Sequence, residues 1–231
     1  MLFLGDIVLD EIKKYLDELY LPCQIGLPGY FNKCLFWPET NPRLVAYQAD
    51  FFEKNIILDK FHEEIFEFFK ERKVLVKLEN RFIPHVTICR DDFNLKLWKE
   101  TFKQSPLYIK SFNLYESLQN SEYNILWTKD FINPFEEIKH TADIAFIIRG
   151  KSYLDLLHSS FIALSFKVEI FLNYVSLLKK VNSIDDVIIN LNEIITNAEI
   201  DGFDIPFKAV SFHNKIDRKN EIMNWEMIVD V

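Results

Sequence analysis

Glycine and cysteine are both scarce in this chain. Its 231 residues include five glycines and three cysteines. The glycines form neither a phosphate-binding loop nor a dinucleotide-binding fingerprint, which argues against an independent nucleoside triphosphate site. Cys23, Cys34 and Cys89 have neither the even number of a disulfide framework nor the paired spacing of a metal site. A reducing, cytoplasmic compartment therefore suits the cysteine content best.

Long apolar runs and an excess of positive charge are also missing. No apolar run approaches the roughly 18 residues of a membrane span, and residues 1–4 are too few for the core of a signal peptide. The formal net charge is −8, from 35 acidic and 27 basic side chains. This balance argues against gripping nucleic acid by bulk electrostatics, which needs a Lys/Arg face. It allows local contact with RNA ends, or work through a protein partner.

What the chain does have is enough apolar residues for a large core. Its length suits one large domain or two of about 100–150 residues each. Helical and strand-like patterns succeed one another, with most strands in hairpin-like order, which predicts an α+β fold. The only plausible linker is the short segment 133–137. We predict two domains, residues 1–136 and 137–231, each a mainly antiparallel sheet with helices packed on it.

Two serine-initiated helices are the clearest local predictions. Ser152 is followed three residues later by Asp155, and Ser183 by Asp186, which is the spacing of a capping box. Each pair precedes an apolar stripe at helical spacing. Other helices are predicted at 8–20, 61–71 and 97–103, and strands at 33–36, 44–49, 74–78, 84–89, 108–114, 123–129, 143–148, 207–212 and 221–231. Periodicity does not decide between strand and helix for 167–180.

Three separated motifs in the C-terminal part of the chain carry chemistry. His140-Thr-Ala-Asp143 opens a strand pattern that Gly150 ends. Lys208-Ala-Val-Ser-Phe-His213 reads as a later strand, and the sequence finishes with Ile228-Val-Asp230-Val231. In this order, and with these flanking helices, the motifs resemble those of the archease family. Archeases are small proteins that assist the RNA-splicing ligase, and the resemblance covers about residues 138–231.

The archease resemblance implies a metal site and a protein partner. The aspartates that match Asp143 and Asp230 hold a divalent metal, reported as calcium, in that family, and Val231 lies beside them. The implied role is that of a non-enzymatic accessory protein, which helps the ligase reach or recycle its guanylylated state. The chain departs from the family in the short segment between Gly202 and Lys208. A strand or hairpin is missing there, so partner recognition could have drifted.

The chemistry of the residues agrees with a metal but leaves alternatives. Two carboxylates on neighbouring strands repel each other unless a cation lies between them, and oxygen ligands favour Ca²⁺, Mg²⁺ or Mn²⁺. His140 and His213 could add nitrogen ligands, with zinc or manganese as the alternative metal. Without a metal, Asp143 would be a capping residue or would form a salt bridge with Lys208. Lys208 is either a contact to the ligase or to a nucleotide, or a solvent-exposed lysine at a strand edge.

A further motif lies in the N-terminal part, at residues 82–90. Pro84-His-Val-Thr-Ile-Cys-Arg90 places His85 and Thr87 two residues apart, so both point to one face of a strand. Arg90 has the opposite parity, and either leaves this site or bends back to it. The motif resembles the second histidine motif of the two-histidine phosphoesterases, which include RNA 2′,3′-cyclic phosphodiesterases. The resemblance covers about residues 1–132.

The phosphoesterase resemblance implies a pair of proton-transfer histidines, of which this chain has one. In that family each of two His-x-Thr motifs supplies a histidine, one as general base and one as general acid, and the threonines hold the phosphate. The first motif would precede Met1, so either the start lies at an internal methionine or half of the site is lost. His62, expected on the solvent side of a helix, is a poor substitute. The implied phosphodiesterase is weak or inactive.

Three functions follow, in order of preference. The first is a metal-binding, archease-like accessory protein that promotes RNA ligation by the RNA-splicing ligase. The second is an RNA 2′,3′-cyclic phosphodiesterase that acts on RNA ends through His85 and Thr87. The third is a structural or interaction protein without activity.

Overall fold

The computed structural model describes residues 4, 9–52, 56–74, 76, 82–90, 92–118, 122–140, 143–212 and 216–231. Its α-helices are α1 (Leu9–Glu18), α2 (Ile56–Glu71), α3 (Leu95–Thr101), α4 (Tyr153–Lys167) and α5 (Ile184–Ile200), and a 3₁₀ helix spans Glu169–Leu177. Its strands are β1 (Pro28–Trp37), β2 (Leu44–Phe51), β3 (His85–Arg90), β4 (Ser105–Tyr108), β5 (Ser111–Ser117), β6 (Tyr123–Asp130), β7 (Phe135–Ile138), β8 (Ile144–Gly150), β9 (Ala209–Phe212), β10 (Asp217–Lys219) and β11 (Ile222–Asp230).

The strands form three sheets. The N-terminal sheet has the order β3-β2-β1-β4, and β5 and β6 form a two-stranded sheet. The C-terminal sheet has the order β10-β11-β8-β7, with β9 also paired to β11. Every described strand pair in these sheets is antiparallel. The predicted α+β class is therefore confirmed.

Helices α1 and α2 form a small core with the two-stranded sheet. Its buried members are Ile12, Leu16, Leu19, Phe61, Ile65 and Phe69. Phe112 of β5 meets Phe61 edge-on, with ring centroids 5.5 Å apart. Separately, Trp98 of α3 contacts Tyr47 of β2 in the N-terminal sheet, with ring centroids 6.1 Å apart. The N-terminal half thus has apolar packing on two different sheets.

The larger core lies against the C-terminal sheet. Helix α4 packs on β8 and β11, and α5 packs on α4 and β9. Trp225, Phe146, Phe161, Phe171 and Phe207 are the largest fully buried side chains there. The alternation of β8 and β11 turns their apolar residues toward these helices.

Helix α4 lies between the N-terminal and C-terminal sheets. All ten residues from Leu156 to Ser165 are buried, which is typical of a helix covered on every side. Besides its contacts with the C-terminal sheet, α4 contacts β1 and β4. At its end, Phe166 lies edge-on to Tyr108 of β4 and against Phe135 of β7. One helix therefore supplies apolar surface to both sheets.

Both predicted capping boxes are confirmed. Ser152 accepts a hydrogen bond from the Asp155 amide, and the Asp155 carboxylate accepts one from the Ser152 amide. Ser183 and Asp186 make the same reciprocal pair at the start of α5. The pKa of Asp186 is lowered, first by the hydrogen bond from the Asn182 amide and then by that from Ser183. Local sequence therefore determines where both helices begin.

Other local predictions need correction. The segment 167–180, left undecided, contains the 3₁₀ helix. Most of the predicted linker, from Phe135 onward, belongs to β7, so a boundary at residue 137 would fall inside a strand. The division into two domains itself stays a prediction. In the predicted strand 74–78, Val74 and Val76 lie outside any strand, and 75, 77 and 78 lie outside the described residues.

The three cysteines, all of them among the described residues, form no disulfide. In the part of the chain that the structure describes, no helix is long and apolar enough to cross a membrane.

Candidate functional site

The predicted metal ligands lie at the same end of two paired strands. Strands β8 and β11 are antiparallel, and Val229 is opposite Ile144 in the last pair of their ladder. Asp143 immediately precedes β8, and Asp230 is the last residue of β11. The ladder ends at that pair, and continuing its register by one residue would set Asp230 opposite Asp143. The sheet therefore places residues 87 positions apart in sequence at adjoining strand ends.

The contacts of Asp143 and Lys208 differ from those predicted. Asp143 lies next to His140, with 3.6 Å between Oδ2 and Nδ1. The predicted alternative, an ion pair of Asp143 with Lys208, is wrong, because the neighbour of the Asp143 carboxylate is His140. Lys208 instead donates through Nζ to the main-chain oxygen of Val231, at 2.5 Å, and through its amide to the Asp230 carbonyl. Lys208 thus ties β9 to the end of β11.

The oxygen ligands at this site are of the type that a divalent cation prefers, but there are few of them. The oxygens at this site are the carboxylates of Asp143 and Asp230 and the main-chain oxygen of Val231, which already accepts a hydrogen bond from the Lys208 ammonium. Calcium takes six to eight oxygens, so solvent would have to complete its shell. Across the described residues, no three His, Cys, Asp or Glu side chains cluster so as to hold a metal. His213, the other predicted nitrogen ligand, lies outside the described residues, as do Thr141 and Ala142.

The predicted catalytic pair lies on strand β3. His85 is opposite Gln48 and Thr87 is opposite Ala46, two residues further along β2. Cross-strand partners share a face, so His85 and Thr87 point to the same side of the sheet, as predicted. The His85 side chain is exposed, its Nδ1 lies 2.7 Å from the Ile83 carbonyl, and its ring meets Trp37 edge-on.

A β-bulge returns Arg90 to the face of the catalytic pair. Strict alternation placed Arg90 on the opposite side from Thr87. The pairing between β2 and β3 shifts by one residue at Ile88, and Arg90 lies opposite Leu44. Leu44 is two residues from Ala46 on β2, so both share a face with their partners on β3. The alternative in which Arg90 rejoins the site is therefore the one that the pairing favours.

Among the described residues, strand β3 is paired on one side only. In the described residues β3 pairs with β2 alone, at the end of the N-terminal sheet. Val86 and Ile88 of this strand are 49% and 43% exposed.

His62, expected on a solvent-facing side, is half-buried and stacks on Phe82, with ring centroids 4.7 Å apart.

A third site, which sequence reasoning missed, is a cavity of about 320 Å³. Residues 22–28, before and at the start of β1, form one side together with Phe51 and Phe52. The other side consists of the β8–α4 connection, 149–152, and the first turns of α4. A histidine followed by two serines in an otherwise apolar helix was the available signal. Of these three residues, His158 and Ser159 line the cavity.

His158 is the unusual side chain of this cavity. It is 9% exposed and stacks on Phe52, with ring centroids 4.4 Å apart. It forms no hydrogen bond to any residue that the structure describes. Burial lowers the pKa of His158 to about 4, although the nearby Asp155 carboxylate opposes this. At neutral pH the imidazole is therefore uncharged, with one donor and one acceptor nitrogen.

Comparison with known proteins adds no relatives. No protein-family model matches the chain, and no curated protein matches it either. The archease and phosphoesterase resemblances therefore stay predictions from the sequence.

Proposed function

We propose that this protein is a metal-binding, archease-like accessory factor for an RNA-splicing ligase. The observation that carries the proposal is the position of Asp143 and Asp230 at adjoining ends of β8 and β11. Carboxylates in such a position repel each other unless a cation lies between them. The resemblance of the same segments to archeases supplies the partner. We place this activity in the cytoplasm, where cysteines stay reduced.

The residues around the site divide into ligands and a contact group. A divalent cation bound here would neutralise the two carboxylates and hold the ends of β8 and β11 together. Lys208 is exposed and holds the main-chain oxygen of Val231, so its ammonium group lies at the rim of the same site. In this proposal the ligase performs all covalent chemistry. The accessory protein contributes a charged, metal-ordered strand end that the ligase contacts.

Calorimetric titration tests the metal site. Ca²⁺ and Mn²⁺ should bind the unaltered protein, and Asp143→Asn or Asp230→Asn should abolish binding, because each removes one of two charged ligands. Asp204→Asn, at an exposed aspartate between α5 and β9, is the matched control. Binding that persists undiminished in the Asp143 and Asp230 variants would show that the metal site is wrong.

A turnover assay tests the partnership. Catalytic amounts of this protein should raise the number of turnovers of the RNA-splicing ligase from the same organism, and Asp230→Asn should not. Lack of any effect of the unaltered protein would favour a structural role. Because the segment after Gly202 is short, a ligase from another organism is not a fair test of the contact.

A second candidate function is RNA 2′,3′-cyclic phosphodiester hydrolysis. The observation that favours it is the common face of His85, Thr87 and Arg90, produced by the bulge at Ile88. On this face, Thr87 and Arg90 would bind the phosphate, since a guanidinium group makes charge-assisted hydrogen bonds to phosphate oxygens. His85 would transfer one proton. The reaction needs both a base and an acid, so the activity should be low.

Hydrolysis of an oligonucleotide with a 2′,3′-cyclic phosphate tests this candidate. A positioned acid or base is typically worth about 10²–10⁴-fold in rate, so a site with one histidine should lose on that order. Any residual activity should disappear in His85→Ala and Arg90→Gln and persist in the control His62→Ala. Full activity that His85→Ala silences would mean that another residue acts as the second proton-transfer group.

A further inference from the structure

The cavity between residues 22–28 and helix α4 is large enough for a small organic molecule. Its volume is about 320 Å³, at the lower end of the range of roughly 300–1,000 Å³ that ligand pockets occupy. A water takes about 30 Å³ in the liquid, so the space corresponds to about ten waters and not to a single bridging one. An organic ligand of about ten non-hydrogen atoms would have a similar size.

Apolar side chains supply much of the lining. Leu27 directly precedes β1, Phe51 ends β2, and Ile57 lies in the first turn of α2. Three different elements therefore present carbon surface to one space. Contact with such surface favours a ligand whose body is apolar, because both the ligand and the lining are then removed from water.

His158 is the buried polar group at this cavity whose hydrogen bonds are missing. Its side chain is 9% exposed and makes no hydrogen bond to any residue that the structure describes. The other polar side chains of α4 at the cavity have partners, since Ser159 donates to the Arg149 carbonyl and Asp155 accepts from the Ser152 amide. Buried polar groups are nearly always paired, so the donor and the acceptor of the uncharged imidazole are available to an occupant.

The charges around the cavity cancel, so they select neither an anion nor a cation. Arg149 donates to the Glu136 carboxylate at 2.9 Å. Among the described lining residues, the other charged side chains are Lys151 and Asp155, one of each sign. Burial of a charged ligand is costly unless an opposite charge matches it. An uncharged ligand avoids this cost, and one polar group on it is enough to pair with the imidazole.

We propose that this cavity binds an uncharged organic molecule with an apolar body and one hydroxyl or amide group. The apolar body would lie against Leu27, Phe51 and Ile57, and the hydroxyl or amide would exchange a hydrogen bond with a ring nitrogen of His158. The cavity is separate from the metal site and from strand β3, so this proposal is independent of the functions proposed above.

Nuclear magnetic resonance of the histidine rings in the full chain tests the proposal, with benzyl alcohol and benzamide as the neutral probes. The His158 ring signals are assigned by their loss in His158→Gln. At millimolar concentration, at least one neutral probe should shift these signals along a saturable curve. Failure of both probes to bind, or binding that leaves the His158 signals unmoved, would overturn the proposal.

Three probes of similar shape test the chemical class of the ligand. Toluene lacks the hydrogen-bonding group, benzylamine is a cation and benzoate is an anion. Each should bind at least roughly tenfold more weakly than the better neutral probe, a loss of about 1.4 kcal/mol. Equal affinity of toluene would show that the imidazole makes no hydrogen bond to the ligand, and equal affinity of either ion would show that the site does not select uncharged molecules. Each of these results would overturn the proposal.

Two variants locate the binding in this cavity, with affinity measured by saturation transfer to the protons of the probe. His158→Phe keeps a ring to stack on Phe52 but removes both ring nitrogens, and Leu27→Trp places a larger side chain in the space. Each should weaken the better neutral probe by roughly tenfold or more. Leu97→Trp, at an exposed leucine of α3 outside the cavity, is the matched control and should have no effect.

The two variants also separate loss of the hydrogen bond from loss of the space. His158→Phe should weaken the neutral probe but not toluene, which does not use the ring nitrogens, whereas Leu27→Trp should weaken both. Unchanged affinity for the neutral probe in either folded variant would overturn the assignment. If one variant unfolds, as judged by circular dichroism, the other decides.

Discussion

The imidazole of His158 stacks on the ring of Phe52, with centroids 4.4 Å apart and planes inclined by 16°. Phe52 directly follows β2, and His158 lies in the second turn of α4. This contact joins the N-terminal sheet to the helix that also covers the C-terminal sheet. The strength of this stacking contact therefore affects how firmly the N-terminal sheet is held against α4.

Acid should destabilise the protein through His158. The pKa of this side chain falls from 6.5 to about 4 on burial, so below about pH 6.5 the unfolded chain binds a proton that the folded chain does not. The free energy of unfolding should fall between pH 6.5 and pH 4, by on the order of 3 kcal/mol for the full shift. Urea unfolding at a series of pH values measures it.

His158→Phe should remove this part of the pH dependence while other acid-sensitive groups continue to contribute. The useful quantity is the difference between the unaltered protein and the variant at each pH. His85→Gln, which replaces an exposed imidazole, is the control. Parallel stability curves for the protein and His158→Phe between pH 4 and pH 6.5 would contradict the prediction.

Gly150 should not tolerate a side chain. A Cβ atom at this position would lie 2.7 Å from Asp155 Cβ and 2.8 Å from the Leu156 nitrogen, so β8 and α4 could not keep their present separation. Overpacking of this kind typically costs about 1–3 kcal/mol, and Gly150→Ala should lower the stability by that amount in thermal unfolding.

Gly202→Ala is an informative comparison for Gly150→Ala. Gly202 has a φ of +84° and nothing within 4 Å of an added Cβ. The expected loss, roughly 1–2 kcal/mol, comes from the backbone conformation alone. Crowding at Gly150 should also disturb α4, so Gly150→Ala should alter the near-ultraviolet circular dichroism and Gly202→Ala should not. An unperturbed, equally stable Gly150→Ala protein would refute the steric argument.

Removal of a helix cap should destabilise α5. Ser183→Ala deletes the oxygen that accepts a hydrogen bond from the Asp186 amide, a loss typically worth about 1 kcal/mol. Ser176→Ala, at an exposed serine without a capping role, should stay within experimental error of the unaltered protein. Equal unfolding midpoints for the two variants would show that the cap contributes nothing to stability.

Strand β3 pairs with β2 alone among the described residues, and its other edge should promote self-association. An unpaired strand with exposed apolar side chains can pair with another chain, and a charge on such a strand opposes pairing. Val86→Lys should therefore reduce concentration-dependent association in light scattering, whereas Leu154→Lys, on the partly exposed surface of α4, should not. If the unaltered protein is monomeric at high concentration, the edge is protected by other means.

Local signals in the sequence predicted much of the fold because they act over short distances. The capping boxes at Ser152 and Ser183 need only four residues each, and both form as predicted. The 3₁₀ helix was undecided because its residues pack between α4 and α5, and tertiary contacts override a weak periodic pattern. Long-range packing, not local preference, determines its conformation.

The candidate functional sites also depend on tertiary contacts that local sequence does not contain. Pairing along β3 could be predicted, but the bulge at Ile88 depends on the register of β2, which alternation alone does not contain. The contact between His140 and Asp143 lies within four residues, yet the sequence favoured Lys208 as the alternative partner. The cavity at His158 needs residues from before β1 and from α4 together, and nothing in either segment alone indicates the other.

The position of α4 between two sheets has a consequence for how the chain can be divided. An expressed fragment that stops before α4 would leave Tyr30 and Phe52 without the surface on which they pack. A fragment that begins at β8 would keep α4 but leave one of its sides open to water. Both fragments should be prone to aggregation, and the intact chain should unfold in a single cooperative step.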